Sequence, residues 1–162
     1  MLLPNWVNRP HTVAFLLNPA FCGEVLKRCI IEYQKINNSG ISFQLIFLIL
    51  PFILNQSIRD ILPMTSRKNF ISWLEENQII KKDLTQSIKA MVPYTKESIM
   101  FLMMYGIVDI DEKGRFKIIK KNKSFKGNNE VTDCYKKAAV MGKLLAKAGS
   151  SQFIFTNIGI KP

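Results

Sequence analysis

Apolar residues at helical spacing mark the first long segment of the chain. Between Asn18 and Ile36 they recur every three or four residues, as on a helix with one buried face. The members of this stripe are Phe21, Cys22, Val25, Leu26, Cys29, Ile30 and Tyr33. Asn18 can cap the helix, Pro19 suits its first turn, and the Asn-Asn-Ser-Gly of residues 37–40 is typical of its end. We therefore expect a helix from Pro19 to about Ile36.

An almost wholly apolar run, Ile41–Leu54, comes next. We interpret it as a core helix buried on every side, with a buried strand as the alternative, because short apolar runs fit both. Pro51 should kink this helix or end it near Leu50. The uninterrupted part, Leu45–Leu54, is far shorter than the roughly 20 residues that cross a bilayer, so we expect no membrane span.

The N-terminal segment, residues 1–17, is predicted to be irregular because Pro4 and Pro10 interrupt it. Within it, Val13–Leu17 is apolar and fits a short strand or buried coil. A basic region followed by a long apolar run is missing, so we expect no signal peptide and a cytoplasmic protein.

The second half of the chain has the pattern of a winged-helix-like module. Before this module, Ser66 can cap a helix that runs to about Asn77. Within the module we expect helices over Lys82–Met91 and Lys96–Tyr105, joined by a turn at Val92-Pro93-Tyr94, and then strands over Ile107–Ile110 and Arg115–Ile119. Thr95 can cap the helix after that turn, and Gly106 suits a helix C-terminus. Helix, turn, helix and hairpin is the order of a winged-helix module.

A last long helix is predicted from a Thr132 cap to about Ala148, followed by a short helix over Gln152–Ile158. The longer helix carries a stripe of small residues, Ala138, Gly142 and Ala146, which would allow close packing. We predict a mainly α fold with one small β-hairpin, in a single domain spanning residues 1–162. Its parts are a helical half (1–80), the winged-helix-like half (81–120), and a basic loop with C-terminal helices (121–162).

The sequence contains few of the residue patterns on which catalysis commonly depends. His11 is the one histidine, and the phosphate-binding and dinucleotide-binding glycine motifs are absent. Asp109 and Asp111 resemble the start of a calcium loop, but Lys113 and Lys120 occupy positions that need oxygen ligands. The three cysteines have no metal or redox spacing, and we expect buried free thiols. We expect no enzyme activity, cofactor or metal.

The charge balance is strongly basic, since 23 Lys and Arg against 12 Asp and Glu give a net charge of +11. Seven of these cations lie within fourteen residues: Lys113, Arg115, Lys117, Lys120, Lys121, Lys123 and Lys126. On an alternating strand, Arg115 and Lys117 would share one face. This basic hairpin and loop are predicted to contact nucleic-acid phosphates without reading sequence. The alternative is a solvated hairpin, or one that docks on an acidic protein surface.

The helix before the hairpin carries six consecutive apolar residues, Ile99–Met104. Burial on all sides would explain them, and a protein interface on the outer face is the alternative. We name Ile99, Met100, Met103 and Met104 as candidate interface residues. Neither interpretation places Arg, Lys, Asn or Gln side chains against bases, as a major-groove reader requires.

Several segments resemble one protein family. They are Arg9-Pro10, Leu17-Asn18-Pro19-Ala20-Phe21-Cys22, Leu50-Pro51-Phe52, Arg59, Leu62-Pro63, Trp73, and the tail Phe155-Thr156-Asn157-Ile158-Gly159-Ile160-Lys161-Pro162. Together they are similar to the middle component of three-component ABC-ATPase systems, of which the Lamassu type of bacterial defence is the example that this chain most resembles.

The resemblance implies a non-catalytic subunit that bridges or regulates a DNA-sensing ATPase of the Rad50/SMC-like type and an effector subunit, often a nuclease. Such systems act against phages and plasmids. The resemblance supplies no catalytic residues for this chain. The alternative function is a stand-alone winged-helix transcriptional regulator, and an unrecognised enzyme is a third, less favoured hypothesis.

Overall fold

The computed structural model describes residues 3–120 and 127–160, and it is mainly helical with one small sheet. The helices are α1 (His11–Leu16), α2 (Pro19–Asn37), α3 (Phe43–Leu54), α4 (Gln56–Ile61), α5 (Phe70–Glu76), α6 (Lys81–Met104), α7 (Asn129–Lys147) and α8 (Ser151–Ile158). The strands are β1 (Ile41–Ser42), β2 (Val108–Ile110) and β3 (Arg115–Ile118), and short 3-10 turns lie at Trp6–Asn8 and Gln78–Ile80. The predicted fold class, mainly α with a small β-hairpin, is confirmed.

Helix α2 lies at the centre of the fold, packed against α3, α6 and α7. Its predicted bounds and cap are confirmed, since the Asn18 side chain accepts a hydrogen bond of 2.7 Å from the backbone N–H of Phe21. The helix ends at Asn37, and the C-cap residue Asn38 adopts the left-handed conformation with a φ of 49°. Two charged residues of α2, Glu24 and Lys27, are also buried, and they form an ion pair with each other inside the fold.

Helices α2 and α7 touch backbone to backbone at Gly142. A Cβ placed on Gly142 would lie 2.2 Å from the carbonyl oxygen of Cys29, so only glycine fits there. The predicted stripe of small residues on α7 therefore does allow close packing. Helix α7 begins with Asn128 as its cap, however, so the predicted Thr132 cap is wrong.

Two other predicted helix starts are corrected. Residues Val13–Leu17 form neither strand nor coil, because all but the last belong to the helix α1. Helix α5 begins at Phe70, not at Ser66, since the side chain of Asn69 accepts hydrogen bonds from the N–H groups of Ile71 and Ser72.

The apolar run of residues 41–54 is a helix preceded by a two-residue strand. Pro51 lies inside α3 without ending it, because Phe52 and Ile53 beyond it are fully buried. The strand β1 pairs antiparallel with β3 and β3 with β2, which gives the sheet order β1-β3-β2. This pairing places Ile41 opposite Phe116 and fixes the hairpin to the helical core.

The largest correction concerns residues 81–105. The predicted turn at Val92-Pro93-Tyr94 is wrong, because α6 continues unbroken through Pro93 for 24 residues. Proline in a helix costs about 3 kcal/mol, partly by removing the hydrogen bond to the carbonyl four residues earlier. That carbonyl belongs to Lys89, which is solvent-exposed, so water can satisfy it. Without the turn, residues 81–105 form no helix-turn-helix, and the winged-helix module lacks its first half.

The predicted end of this helix and the hairpin after it are confirmed. Gly106 has a φ of 62° and donates its N–H to Met103, while Ile107 donates to Leu102, the pattern of a Schellman C-cap. The tight turn 111–114 is held by Asp111, whose side chain accepts hydrogen bonds from the N–H groups of Lys113 and Arg115.

The close approach at Gly142 leads to a first prediction. Gly142→Ala should lower the free energy of unfolding by about 2 kcal/mol or more, since the added methyl group must push two backbones apart. Gly23→Ala is the matched control on α2, where the added Cβ would lie 3.2 Å from the movable Leu102 side chain. Thermal unfolding of both variants should show a much larger destabilisation for Gly142→Ala, and equal destabilisation would contradict this packing.

The buried thiols lead to a second prediction. Cys22, Cys29 and Cys134 are free and buried, as expected, and burial raises the pKa of Cys22 to about 12 and that of Cys29 further. The unfolded chain releases these protons above a pKa of about 8.5, whereas the folded chain keeps them, so stability falls as pH rises. Each such thiol contributes a slope of about 1.4 kcal/mol per pH unit.

Cys29→Ala should remove one thiol's share of that slope between about pH 9 and pH 11 in denaturant titrations. Ile30→Val, a comparable core truncation that keeps every thiol, should leave the slope unchanged. Identical pH profiles for Cys29→Ala and the native chain would refute the prediction.

Candidate functional site

Helix α6 presents two different faces. One face packs against α2 and α3 through residues such as Leu84, Ile88 and Leu102. Two side-chain hydroxyls also bond back to the helix, Thr95 to the carbonyl of Met91 and Ser98 to that of Tyr94. These bonds satisfy polar groups that would otherwise be buried without partners.

The opposite face of α6 exposes large apolar side chains at its C-terminal end. Met100 is 63% exposed, Met103 40% and Met104 82%, and Tyr105 directly after the helix is 62% exposed. Burial of residues 99–104 on all sides is therefore wrong. Ile99, one of the four candidate interface residues, is only 6% exposed and belongs to the core.

The same outward face carries three lysines that the sequence analysis did not single out. Lys82, Lys89 and Lys96 are all exposed and lie seven residues apart. At about 100° per residue, this spacing places them within about 40° of one another around the helix, and Met100 falls in line with them. The three lysines form no ion pair within residues 3–120 and 127–160. We call this set, with Met100, Met103 and Met104, the α6 outer face.

The N-terminal segment flanks the α6 outer face. Arg9 makes a bidentate ion pair with Glu97, with its Nη1 and Nη2 donating to the two carboxylate oxygens at 2.8 and 2.7 Å. The guanidinium also lies over the ring of Trp6, 4.9 Å from its centroid. The hydrogen-bonded Glu97 raises the pKa of Arg9 above its ordinary value. Glu97 is thus neutralised within the fold.

The basic hairpin is less positive than its sequence suggests. Of its seven predicted contact residues, Lys113, Arg115, Lys117 and Lys120 are in the described part, and Lys121, Lys123 and Lys126 lie outside the described residues. Arg115 donates to Asp111 at 2.8 Å, and Lys117 lies opposite Asp109 in the strand register. The hydrogen bond from the backbone N–H of Arg115 lowers the pKa of Asp111. Lys113 and Lys120 remain exposed without an ion pair in the described chain.

Phe116 and Ile118 point into the core, as the alternation of the strand predicts, and they are 3% and 8% exposed. Arg115 and Lys117 share the other, half-buried face. The apolar side of β3 therefore anchors the hairpin to the core, while its cations lie on the other side.

A groove of about 820 Å³ opens between α1, α3 and α7, and no pattern in the sequence predicted it. Three asparagines of its lining are already engaged, since Asn18, Asn55 and Asn128 each cap a helix. Arg59 at one end bonds to Asp133 and to the carbonyl of Ile53, both at 2.9 Å. The rest of the lining is mostly apolar and also includes Thr12, Ser87 and the Cys134 thiol, whose pKa burial raises.

Among the described residues, neither a metal-binding cluster nor an activated thiol is found. Within this part of the chain, no three His, Cys, Asp or Glu side chains lie close enough to hold a metal ion. Burial raises rather than lowers the pKa values of the cysteines, so these thiols are not activated. His11 is exposed and stacks against Phe15, with ring centroids 6.5 Å apart. None of the described helices is both long enough and apolar enough to span a membrane.

These observations define a small, mainly helical protein whose distinctive features are an exposed helix face and a cationic hairpin. The chain matches the family described as ABC-three component (ABC-3C) system Middle Component 3 over residues 6–162, and it belongs to that family. The resemblance to the middle component of a three-component ABC system is thereby confirmed. No curated protein and no solved structure matches the chain significantly.

Proposed function

We propose that this middle component is a non-catalytic bridging subunit that binds a Rad50/SMC-like ATPase and an effector subunit of its three-component system. The observation that carries the proposal is the α6 outer face. A small monomer rarely leaves three neighbouring methionines exposed on one helix, and such flexible apolar side chains commonly receive a protein partner.

The family resemblance of the sequence supports a proposal for what the whole complex does. We propose that the assembled complex senses DNA in bacterial defence against phages and plasmids, inside the cytoplasm. The ATPase would hydrolyse ATP and the effector would attack the phage or plasmid, while this chain holds the two subunits together. A stand-alone regulator has less support, because α6 is continuous where a DNA-reading module needs a turn.

Contact with DNA is assigned to the cationic hairpin. Lys113 and Lys120 are exposed, and Lys117 lies between them on β3. Lysines on a short hairpin suit phosphates, which carry no sequence information.

The partner-binding proposal predicts an effect of the methionines. Met100→Ser, Met103→Ser and Met104→Ser together should weaken binding to the ATPase at least tenfold, because burying one methionine contributes about 1.5–3 kcal/mol. Gel filtration of the co-expressed subunits, followed by titration of the purified pair, measures this.

The matched control is Met64→Ser with Ile79→Ser, two residues that are 78% and 84% exposed and lie outside α6. This control should bind as the native chain does. Separate elution of the native subunits at micromolar concentration would refute the bridging role, and unchanged affinity of the triple variant would refute the assigned surface.

The DNA proposal predicts a salt effect. Replacing Lys113, Lys117 and Lys120 by Glu in the assembled complex should weaken binding equally on unrelated duplexes. It should also flatten the log–log salt dependence by roughly 0.9 for each phosphate that a lysine no longer neutralises. Arg67→Glu, Lys68→Glu and Lys136→Glu carry the same charge change on other exposed sites and serve as the control. Full affinity and an unchanged slope in the hairpin variant would show that the hairpin does not meet DNA.

A further inference from the structure

The α6 outer face is basic along one part of the helix axis and apolar along the rest. Lys82, Lys89 and Lys96 cover about 21 Å of helix axis at 1.5 Å per residue, and the methionines continue the line toward the C-terminus. The surface is thus basic over its first two-thirds and apolar over its last third.

The two acids of α6 do not cancel the charge of this face. Glu97, which directly follows Lys96, is held by Nη1 and Nη2 of the Arg9 guanidinium. Asp83, the other acid of α6, lies about 100° around the helix from Lys82. The three exposed lysines therefore have no acid of α6 on the same line and no ion pair among the described residues, which makes them available to an acidic partner.

The spacing of the lysines narrows the shape of that partner. A seven-residue repeat returns to nearly the same side of a helix every two turns, at steps of about 10.5 Å. A second helix packed lengthwise along α6 presents its own side chains at these steps, and in paired helices such positions commonly carry charges of opposite sign.

We propose that the α6 outer face binds an acidic helix of another subunit of the three-component system, lying lengthwise along α6. The lysines pair with carboxylates of that helix, and Met100, Met103 and Met104 pack against its apolar residues. The methionines favour a protein over a nucleic acid, because a phosphate backbone has no apolar surface to cover them. This inference rests on the bridging role proposed above and adds the chemistry and the shape of the partner.

The test mixes this full chain with the other two subunits of the system, which are co-expressed and purified together, and follows assembly of the three-component complex. Replacing Lys82, Lys89 and Lys96 by Glu should slow association with the partner subunit about tenfold at roughly 0.05 M salt, where charge attraction steers the encounter. At roughly 0.5 M salt the difference should shrink to less than about twofold, since salt screens exposed charges.

Arg67→Glu, Lys68→Glu and Lys136→Glu provide the control, with the same change in net charge at sites away from α6. This control should associate at a rate much closer to that of the native chain. Equal effects of the two triple variants would mean that only net charge matters, and this would overturn the inference. Circular dichroism during thermal unfolding shows that both variants fold.

Two further outcomes distinguish the inference from the function on which it rests. If the native subunits form no complex, the bridging role fails and the inference fails with it. If the complex forms and the α6 variant associates at the native rate, the bridging role stands and the inference is overturned. Weaker DNA binding by the α6 variant with native subunit association would show a nucleic-acid surface instead, which also overturns it.

Discussion

The arrangement of the whole protein depends on the enclosure of α2. On one side, Gly142 brings α7 into backbone contact with Cys29, and on the other, Gly23 lies against the side chain of Leu102 on α6. Because α2 and α3 take up the inner side of α6, the lysines and methionines of the outer side are left facing solvent. The packing that stabilises the fold thus also determines which surface is offered to other proteins.

Local sequence signals predicted the structure correctly where a residue's role depends only on its neighbours along the chain. Asn18 caps α2, Gly106 ends α6, and the alternation of β3 buries Phe116, all as predicted. The errors arose where tertiary packing outweighed a local rule. Pro51 and Pro93 both lie within helices, because apolar residues on each side of them are buried in the same core, and no local pattern reveals that.

The same error concealed half of the candidate site. The sequence drew attention to Met100 and its neighbours, but a turn at Pro93 would have separated Lys82 and Lys89 from Lys96. Only a continuous helix places the three on one line with the methionines. Conversely, the sequence overstated the positive charge of the hairpin, because the pairing of Arg115 with Asp111 depends on the folded turn.

The central claim is that the α6 outer face is covered when the three-component complex assembles. Lysine-directed chemical labelling read by mass spectrometry measures this directly, in the isolated chain and in the complex. We expect Lys82, Lys89 and Lys96 to react readily in the isolated chain and to be protected in the complex, while the exposed Lys136 on α7 reacts equally in both. Unchanged reactivity of the three α6 lysines in an intact complex would contradict the account.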